Sequence, residues 1–296
     1  MSAYLLPLIC AVFVWWFGTG AVLYVDGLPA SAKRWTAAAA SAIAGLAFIG
    51  VIWAADRTDV AAAYLGFVAG VALWGWNELL FLSGTVTGPN KSPRPADAKG
   101  VRRFILAAGT LIYHEFALVA TAGAMLAASW DAPNQVAFWT FALLFAMRLS
   151  TKLNIFFGVP NLSEEMLPPG VDYLKSHFGP RRVTAFFAIS VSFATLLVGW
   201  LVWAAADPGA GAFQHAAFSL LAALALLGFL EHWFLVLPLR ETALWRWAMR
   251  AAEARSARED RTGRTPVPGQ RDVFERTGAL NRAGGVATPP GNGRVQ

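Results

Sequence analysis

Charge is scarce in this chain and cysteine is almost missing. Of 296 residues only 14% are Asp, Glu, Lys or Arg, where a water-solvated globular protein carries about a quarter. A large soluble enzyme is therefore excluded on composition. The single cysteine, Cys10, lies inside an apolar run, which rules out a disulfide framework or a cysteine-built zinc site within one copy. The first four residues carry no basic side chain, and the apolar stretch behind them ends at Tyr-Val-Asp-Gly without a small-residue cleavage site. That pattern is read as a retained first span rather than a secretory signal. The net charge of +6 is too unevenly placed for a nucleic-acid-binding domain, so no nucleic-acid partner is expected.

What the chain has in quantity is apolar length. Hydrophobic residues make up 56% of it, with 13 Trp and 21 Phe, and the mean hydropathy is +0.49. A helix crossing a bilayer needs about 20 apolar residues, and windows of that size occur at 4–25, 35–55, 60–81, 104–127, 136–157, 183–206 and 213–237. Backbone polar groups cannot stay unpaired in lipid, which forces the helical reading. Trp35, Trp53, Trp130 and Trp203 stand near span ends, where an amphipathic ring suits the headgroup level. The expected fold is all-α, a seven-helix transmembrane domain over 1–238.

Orientation follows from the basic residues. Connections 56–59, 128–135 and 207–212, with the N-terminal segment, contain Arg57 alone. The other side carries Lys33, Arg34, Lys91, Arg94, Lys99, Arg102, Arg103, Lys175, Arg181, Arg182 and eleven tail arginines, twenty-one against one. The positive-inside rule places the N-terminus outside and the C-terminus in the cytoplasm.

Two connections and the tail are distinctive. The Gly- and Pro-rich 83–103 stretch predicts little regular structure. In 158–182, Asn161 followed by Glu164 is an N-capping pattern, and Val171, Leu174 and Phe178 recur on one side of a segment expected along the membrane surface. Past the last span, residues 239–260 mix Trp245 and Trp247 with Arg240, Arg246 and Arg250, a basic exit helix suited to anionic lipids or a partner. Asn161, Glu164, Glu165, Arg240, Arg246 and Arg250 form the expected partner surface. Residues 261–296, rich in Pro, Gly, Thr, Asn and Arg, read as a flexible cytoplasmic tail.

Ionisable residues inside spans are costly and so informative. They are Glu78 beside Asn77, His114 and Glu115, Arg148 and Lys152 with Asn154, and Glu231 and His232. At about 1.5 Å rise per residue, Arg148 matches Glu115 in depth and Lys152 matches Glu78 and Glu231, so at least one such ion pair is expected. The set reads either as a network that specifies helix packing or as a pigment, substrate or metal site. Glu78, His114, Glu115, Glu231 and His232 are the candidate ligands for iron or another transition metal. They lack the Glu-x-x-His spacing of bundle di-iron sites. His114 and, second, His232 could instead donate an imidazole nitrogen to a tetrapyrrole, with His215 and His177 weaker candidates. Gly66 and Gly70 have the spacing of a close helix contact, within one subunit or between two.

The motifs Trp76-Asn-Glu-Leu-Leu80, Tyr113-His-Glu115, Arg148-Leu-Ser-Thr-Lys-Leu-Asn154, Phe156-Phe-Gly-Val-Pro-Asn-Leu-Ser-Glu-Glu165 and Leu230-Glu-His-Trp233 carry a resemblance. From the first span to about Arg250 the chain resembles the photosynthetic-complex assembly proteins of anoxygenic phototrophic bacteria, associated with the reaction-centre H-subunit gene region. The resemblance implies an assembly factor of the bacterial inner membrane or intracytoplasmic photosynthetic membrane, without a settled enzymatic mechanism. Its implied partners are reaction-centre and light-harvesting subunits or pigment-biosynthesis proteins, and it implies a link to bacteriochlorophyll or a precursor. It assigns no catalytic residue. A membrane enzyme of tetrapyrrole or quinone metabolism with a Glu/His metal centre, and a proton-linked transporter, are the alternatives.

Overall fold

A computed structural model describes residues 2–26, 28, 30–162, 167, 169–238 and 244–248. Among these the regular structure is helical: α1 (Ser2–Asp26), α2 (Ala30–Ala55), α3 (Val60–Leu82), α4 (Gly100–Ala108), α5 (Ile112–Ala128), α6 (Val136–Phe157), a 3-10 segment (Pro169–His177), α7 (Ala185–Ala205) and α8 (Ala212–Phe234). Six of these, α1, α2, α3, α6, α7 and α8, are long and apolar enough to cross a membrane unbroken. The bent pair α4 and α5 makes a seventh if it counts as one span.

Large apolar side chains cover the outside of the bundle, among them Leu46, Ile189 and Leu196. Such a surface, carried on helices of membrane-spanning length, suits lipid. The interior is built on α3, α6 and α8. Small residues set the spacing: a Cβ on Gly70 would stand 2.7 Å from the Ala137 carbonyl oxygen, and one on Gly66 would stand 3.3 Å from the Ala137 amide. The Gly66/Gly70 pair thus serves contact between α3 and α6 of the same chain, the closest approach that small residues permit. Gly228 makes room for Met147 on α6 in the same way.

Connections gather at two ends. At one, the Asn134 amide and side chain donate to the carbonyls of Ala55 and Ala54 at 3.1 and 3.0 Å. At the other, His177 Nε2 donates to the Ser92 carbonyl at 3.2 Å, and the Arg94 amide donates to Ser176 Oγ at 2.8 Å. This second end holds the basic connections 83–103 and 158–182.

The expected continuous span 104–127 is corrected by the structure. Helix axes α4 and α5 meet at 62°, with Gly109, Thr110 and Leu111 between them. Gly and Thr are weak helix formers, and the break is filled by another part of the chain. The His114 amide donates to the Thr87 carbonyl at 3.0 Å and the Asn90 amide to the Gly109 carbonyl at 3.0 Å. The Asn90 side chain donates to the Leu106 carbonyl at 2.9 Å. Residues 87–90 therefore supply the backbone partners that an unbroken helix would have supplied itself. Gly88 is what lets them approach, since a Cβ there would lie 2.2 Å from the Gly109 carbonyl oxygen. The 83–103 connection is irregular as expected over 84–99, whereas 100–103 open α4, and the irregular part is tied down by these bonds.

The apolar side of Val171, Leu174 and Phe178 does not face a membrane surface. Val171 and Leu174 are buried with Phe81, and Leu82, Leu111 and Phe178 pack around them. Helix ends α3 and α5 already expose apolar side chains here, so covering them removes more apolar area from water than lying at an interface. Residues 244–248 pack against α1: Trp245 Nε1 donates to the Trp16 carbonyl at 3.0 Å, and Trp16 Nε1 donates to the Leu244 carbonyl at 2.9 Å. The remainder of the exit helix, including Arg240 and Arg250, and the tail 261–296 lie outside the described residues.

Candidate functional site

Helices α3, α5 and α6 bring four charged residues and a histidine together. Glu78 and His114 are buried, with Glu78 Oε1 3.6 Å from His114 Nε2 and Glu78 Oε2 3.8 Å from Arg148 Nη2. Lys152 Nζ donates to Glu115 Oε1 at 2.7 Å. Lys152 also lies 5.6 Å from the centroid of the Phe81 ring, within cation–π range. The Phe81 and His114 rings sit 4.5 Å apart at an interplanar angle of 31°. Each cation thus stands beside a carboxylate, the arrangement that makes burial tolerable.

These pairings reverse the depth matching of the sequence. Arg148 faces Glu78 rather than Glu115, and Lys152 faces Glu115 rather than Glu78 or Glu231. The break between α4 and α5 is the reason. Glu115 falls in the first turn of α5, just past the break, so depth counted along an unbroken helix does not apply to it, and it meets Lys152.

The other polar residues tie neighbouring helices together or close helix ends. Asn77 Nδ2 donates to the Leu73 carbonyl at 3.0 Å and to Thr121 Oγ1 at 3.3 Å. Asn154 Nδ2 donates to the Ser150 carbonyl at 3.0 Å and to Ser190 Oγ at 2.9 Å, tying α6 to α7. Glu231 Oε1 accepts from Trp15 Nε1 at 3.0 Å, tying α8 to α1. Asn161 precedes residues 163–166, where its expected capping partner falls outside the described residues. Its side-chain amide donates to the Phe234 and Leu237 carbonyls at 2.7 and 2.8 Å, and so closes the C-terminal end of α8, whose carbonyls lack helical partners. Glu164 and Glu165 lie outside the described residues, and Arg246 is exposed.

The histidines divide sharply. His232 Nδ1 donates to the Gly228 carbonyl at 2.7 Å, which leaves Nε2 to accept from the Ser150 hydroxyl at 2.8 Å. Both nitrogens are used, and the ring is a neutral clasp between α8 and α6. His114 makes no ring hydrogen bond among the described residues, but at 0% exposure with Phe81 against its face it presents no open axial position. Neither ring fits a tetrapyrrole ligand in this arrangement. His215 Nδ1 donates to the Ala205 carbonyl at 2.9 Å, and His177 is bonded to Ser92. Nor do the five metal candidates converge: among the described residues no group of three His, Cys, Asp or Glu side chains could hold a metal ion. Glu115 is turned to Lys152, and Glu231 and His232, being adjacent on a helix, point apart.

Beside this network runs a cleft of about 280 Å³ between α1, α3, α6 and α8. Glu78, Arg148 and Glu231 are its charged lining, and Trp15, Trp74 and Trp245 are its aromatic walls. Each helix contributes a stripe three and four residues apart, such as Val71, Trp74, Gly75 and Glu78 on α3. The glycines Gly18 and Gly75 also line it. Single residues of these stripes look like ordinary core positions in the sequence, so the cleft is not visible there.

Fold and site together define a multi-pass helical membrane protein with a charged network and a cleft inside its bundle. Over residues 1–256 the chain matches the DUF3623 family, described as a protein of unknown function, and it belongs to that family. It is 38% identical over 265 residues, 86% of this chain and 95% of the relative, to an "uncharacterized 30.4 kDa protein in puhA 5′ region" of Rhodobacter capsulatus. That position is consistent with the gene-region link implied by the polar motifs. No solved structure matches the chain.

Proposed function

We propose that this protein is a membrane assembly factor for the photosynthetic reaction-centre and light-harvesting complex. One observation carries the reading: the 38% identical relative is named for its position upstream of puhA, a reaction-centre gene. In this reading the protein sits in the inner or intracytoplasmic photosynthetic membrane, N-terminus outside and C-terminus in the cytoplasm. The helical body serves as a scaffold whose buried ion pairs fix the helix packing. The partner surface is the basic end, built from connections 83–103 and 158–182, where Arg102 and Lys175 are held by Asp97 and Asp172. A hydrogen bond and charge from Arg102 hold the Asp97 carboxyl below its usual range. Reaction-centre or antenna subunits, or pigment-supplying proteins, would dock there until the final complex replaces the contacts. Bacteriochlorophyll would pass through the partners rather than be held by His114 or His232.

The test is native purification from phototrophic membranes with identification of copurifying proteins and pigments. Reaction-centre or antenna subunits, recovered in proportion to the bait and lost when exposed basic residues of the two connections are reversed in charge, support the reading. Their absence under mild detergent, with normal complex assembly in a deletion strain, overturns it.

A further inference from the structure

The cleft between α1, α3, α6 and α8 is a ligand site in its own right, and we infer that it binds a single-chain amphiphile with an uncharged hydroxyl head. Three observations converge on that class.

First, the cleft holds a mixed polar lining. Glu78 Oε2 and Arg148 Nη2 are 3.8 Å apart, just beyond a direct hydrogen bond. An oxygen lying beside that gap, about 2.8 Å from each, can donate to the carboxylate and accept from the guanidinium. A hydroxyl does both. A carboxylate head would meet the Glu78 carboxylate with like charge, and an ammonium head has no lone pair for Arg148.

Second, the rest of the lining is apolar and aromatic. Trp15, Trp74 and Trp245 with Val22, Val71 and Leu144 offer a wall suited to a hydrocarbon chain. Trp15 donates its Nε1 to Glu231, so its ring presents an apolar face. The volume, about 280 Å³, holds roughly ten non-hydrogen atoms at the volume of liquid water, about 30 Å³ each. That is room for one chain of moderate length.

Third, the space is kept by glycines that helix packing does not require. A Cβ on Gly18 or Gly75 would meet only Val71 or Val22, at 4.0 and 3.9 Å. Gly66 and Gly70, in contrast, are filled by α6. Glycine costs a helix about 1 kcal/mol relative to alanine, so two glycines facing an open cleft are stability forgone for room.

The experiment uses full-length protein in nanodiscs and a ten-carbon primary alcohol bearing a chain-terminal diazirine. After irradiation, labelled residues are mapped by mass spectrometry, with label on lipid-facing Ile189 and Leu196 as the internal reference. The expected result is label on residues 18–23 or 71–75 that excess decan-1-ol removes and equimolar decanoate displaces about tenfold less well. Gly75→Leu and Gly18→Leu should each abolish the cleft label, leave the lipid-facing label unchanged and keep the thermal transition. Gly75→Ala, smaller and helix-favouring, serves if either larger side chain disturbs folding, and should weaken labelling in proportion to the space removed. Label confined to lipid-facing residues, or a cleft label that survives both substitutions in folded protein, overturns the site. Equal competition by decanoate overturns the head assignment. None of these outcomes depends on which proteins copurify, so the site and the assembly role stand or fall separately.

Discussion

Lys152 reaches Glu115 across the α5–α6 contact and bonds it at 2.7 Å, with both side chains largely withdrawn from the surface. The pair clasps the short helix α5 to the long helix α6 close to the α4–α5 break. Removing one member leaves a charge inside the bundle without its counter-charge.

Lys152→Met or Glu115→Gln alone should destabilise the protein by about 3–5 kcal/mol, and the double change to Met and Leu should recover most of that loss. Unfolding in mixed dodecylsulfate micelles, followed by circular dichroism, gives the three values. A double variant as unstable as the worse single one would show that the ion pair is not the relevant contact.

Gly88→Ala should be among the most harmful alanine substitutions in the chain. Its methyl group would stand 2.2 Å from the Gly109 carbonyl oxygen and push residues 87–90 out of the helix break. At Gly123 and Gly199 a Cβ meets nothing within 4 Å, so alanine there should be neutral or stabilising by up to about 1 kcal/mol. The same micelle assay ranks the three. Similar values for all of them would argue against the plug.

Ser150→Ala should cost about 1–3 kcal/mol by leaving His232 Nε2 without its donor. His232→Gln, which can keep one of the two bonds, should cost less than His232→Leu, which loses both. In an imidazole-directed NMR experiment on the native protein, His232 should show Nδ1 protonated and Nε2 bare at neutral pH. A signal with both nitrogens protonated would contradict the clasp.

Topology has a direct readout because Cys10 is the lone cysteine. In a Cys10→Ser background, Asp207→Cys and Ser92→Cys place exposed thiols at opposite ends of the bundle. A membrane-impermeant maleimide applied to whole cells should modify the first, and reach the second only after permeabilisation. The reverse pattern would invert the proposed orientation.

Much of the architecture was legible because lipid imposes a length on helices. Six spans agree with the sequence windows to within a few residues, and Asp59, which accepts from the Ala62 amide at 2.9 Å, marks the start of α3 as a capping residue should. The bend inside the fourth window is not legible in hydropathy, because Gly109 and Thr110 do not lower it enough to interrupt an apolar run, and the bent pair still passes as one span by length and composition. The available sign was the alternation in 100–108, where Arg102 and Arg103 interrupt Val101, Phe104 and Ile105. The ion pairs are not legible for the same reason, since depth along one continuous helix does not hold across a 62° bend. The charged residues themselves stand out in the sequence, because burial of charge is rare for energetic reasons. Their partners depend on rotation about helix axes, which spacing alone does not supply. Ser150, Ser190 and Trp15 went unnoticed for the same reason: serine and tryptophan are common in spans, and only a facing residue makes them specific.

The plug of residues 87–90 bears on how the α4–α5 pair is held bent. With the helix broken at 109–111, the His114 amide takes the Thr87 carbonyl in place of the Thr110 carbonyl four residues back. The bend of the α4–α5 pair is therefore tied to the placement of the loop that precedes it, one tertiary bond standing in for one helical bond.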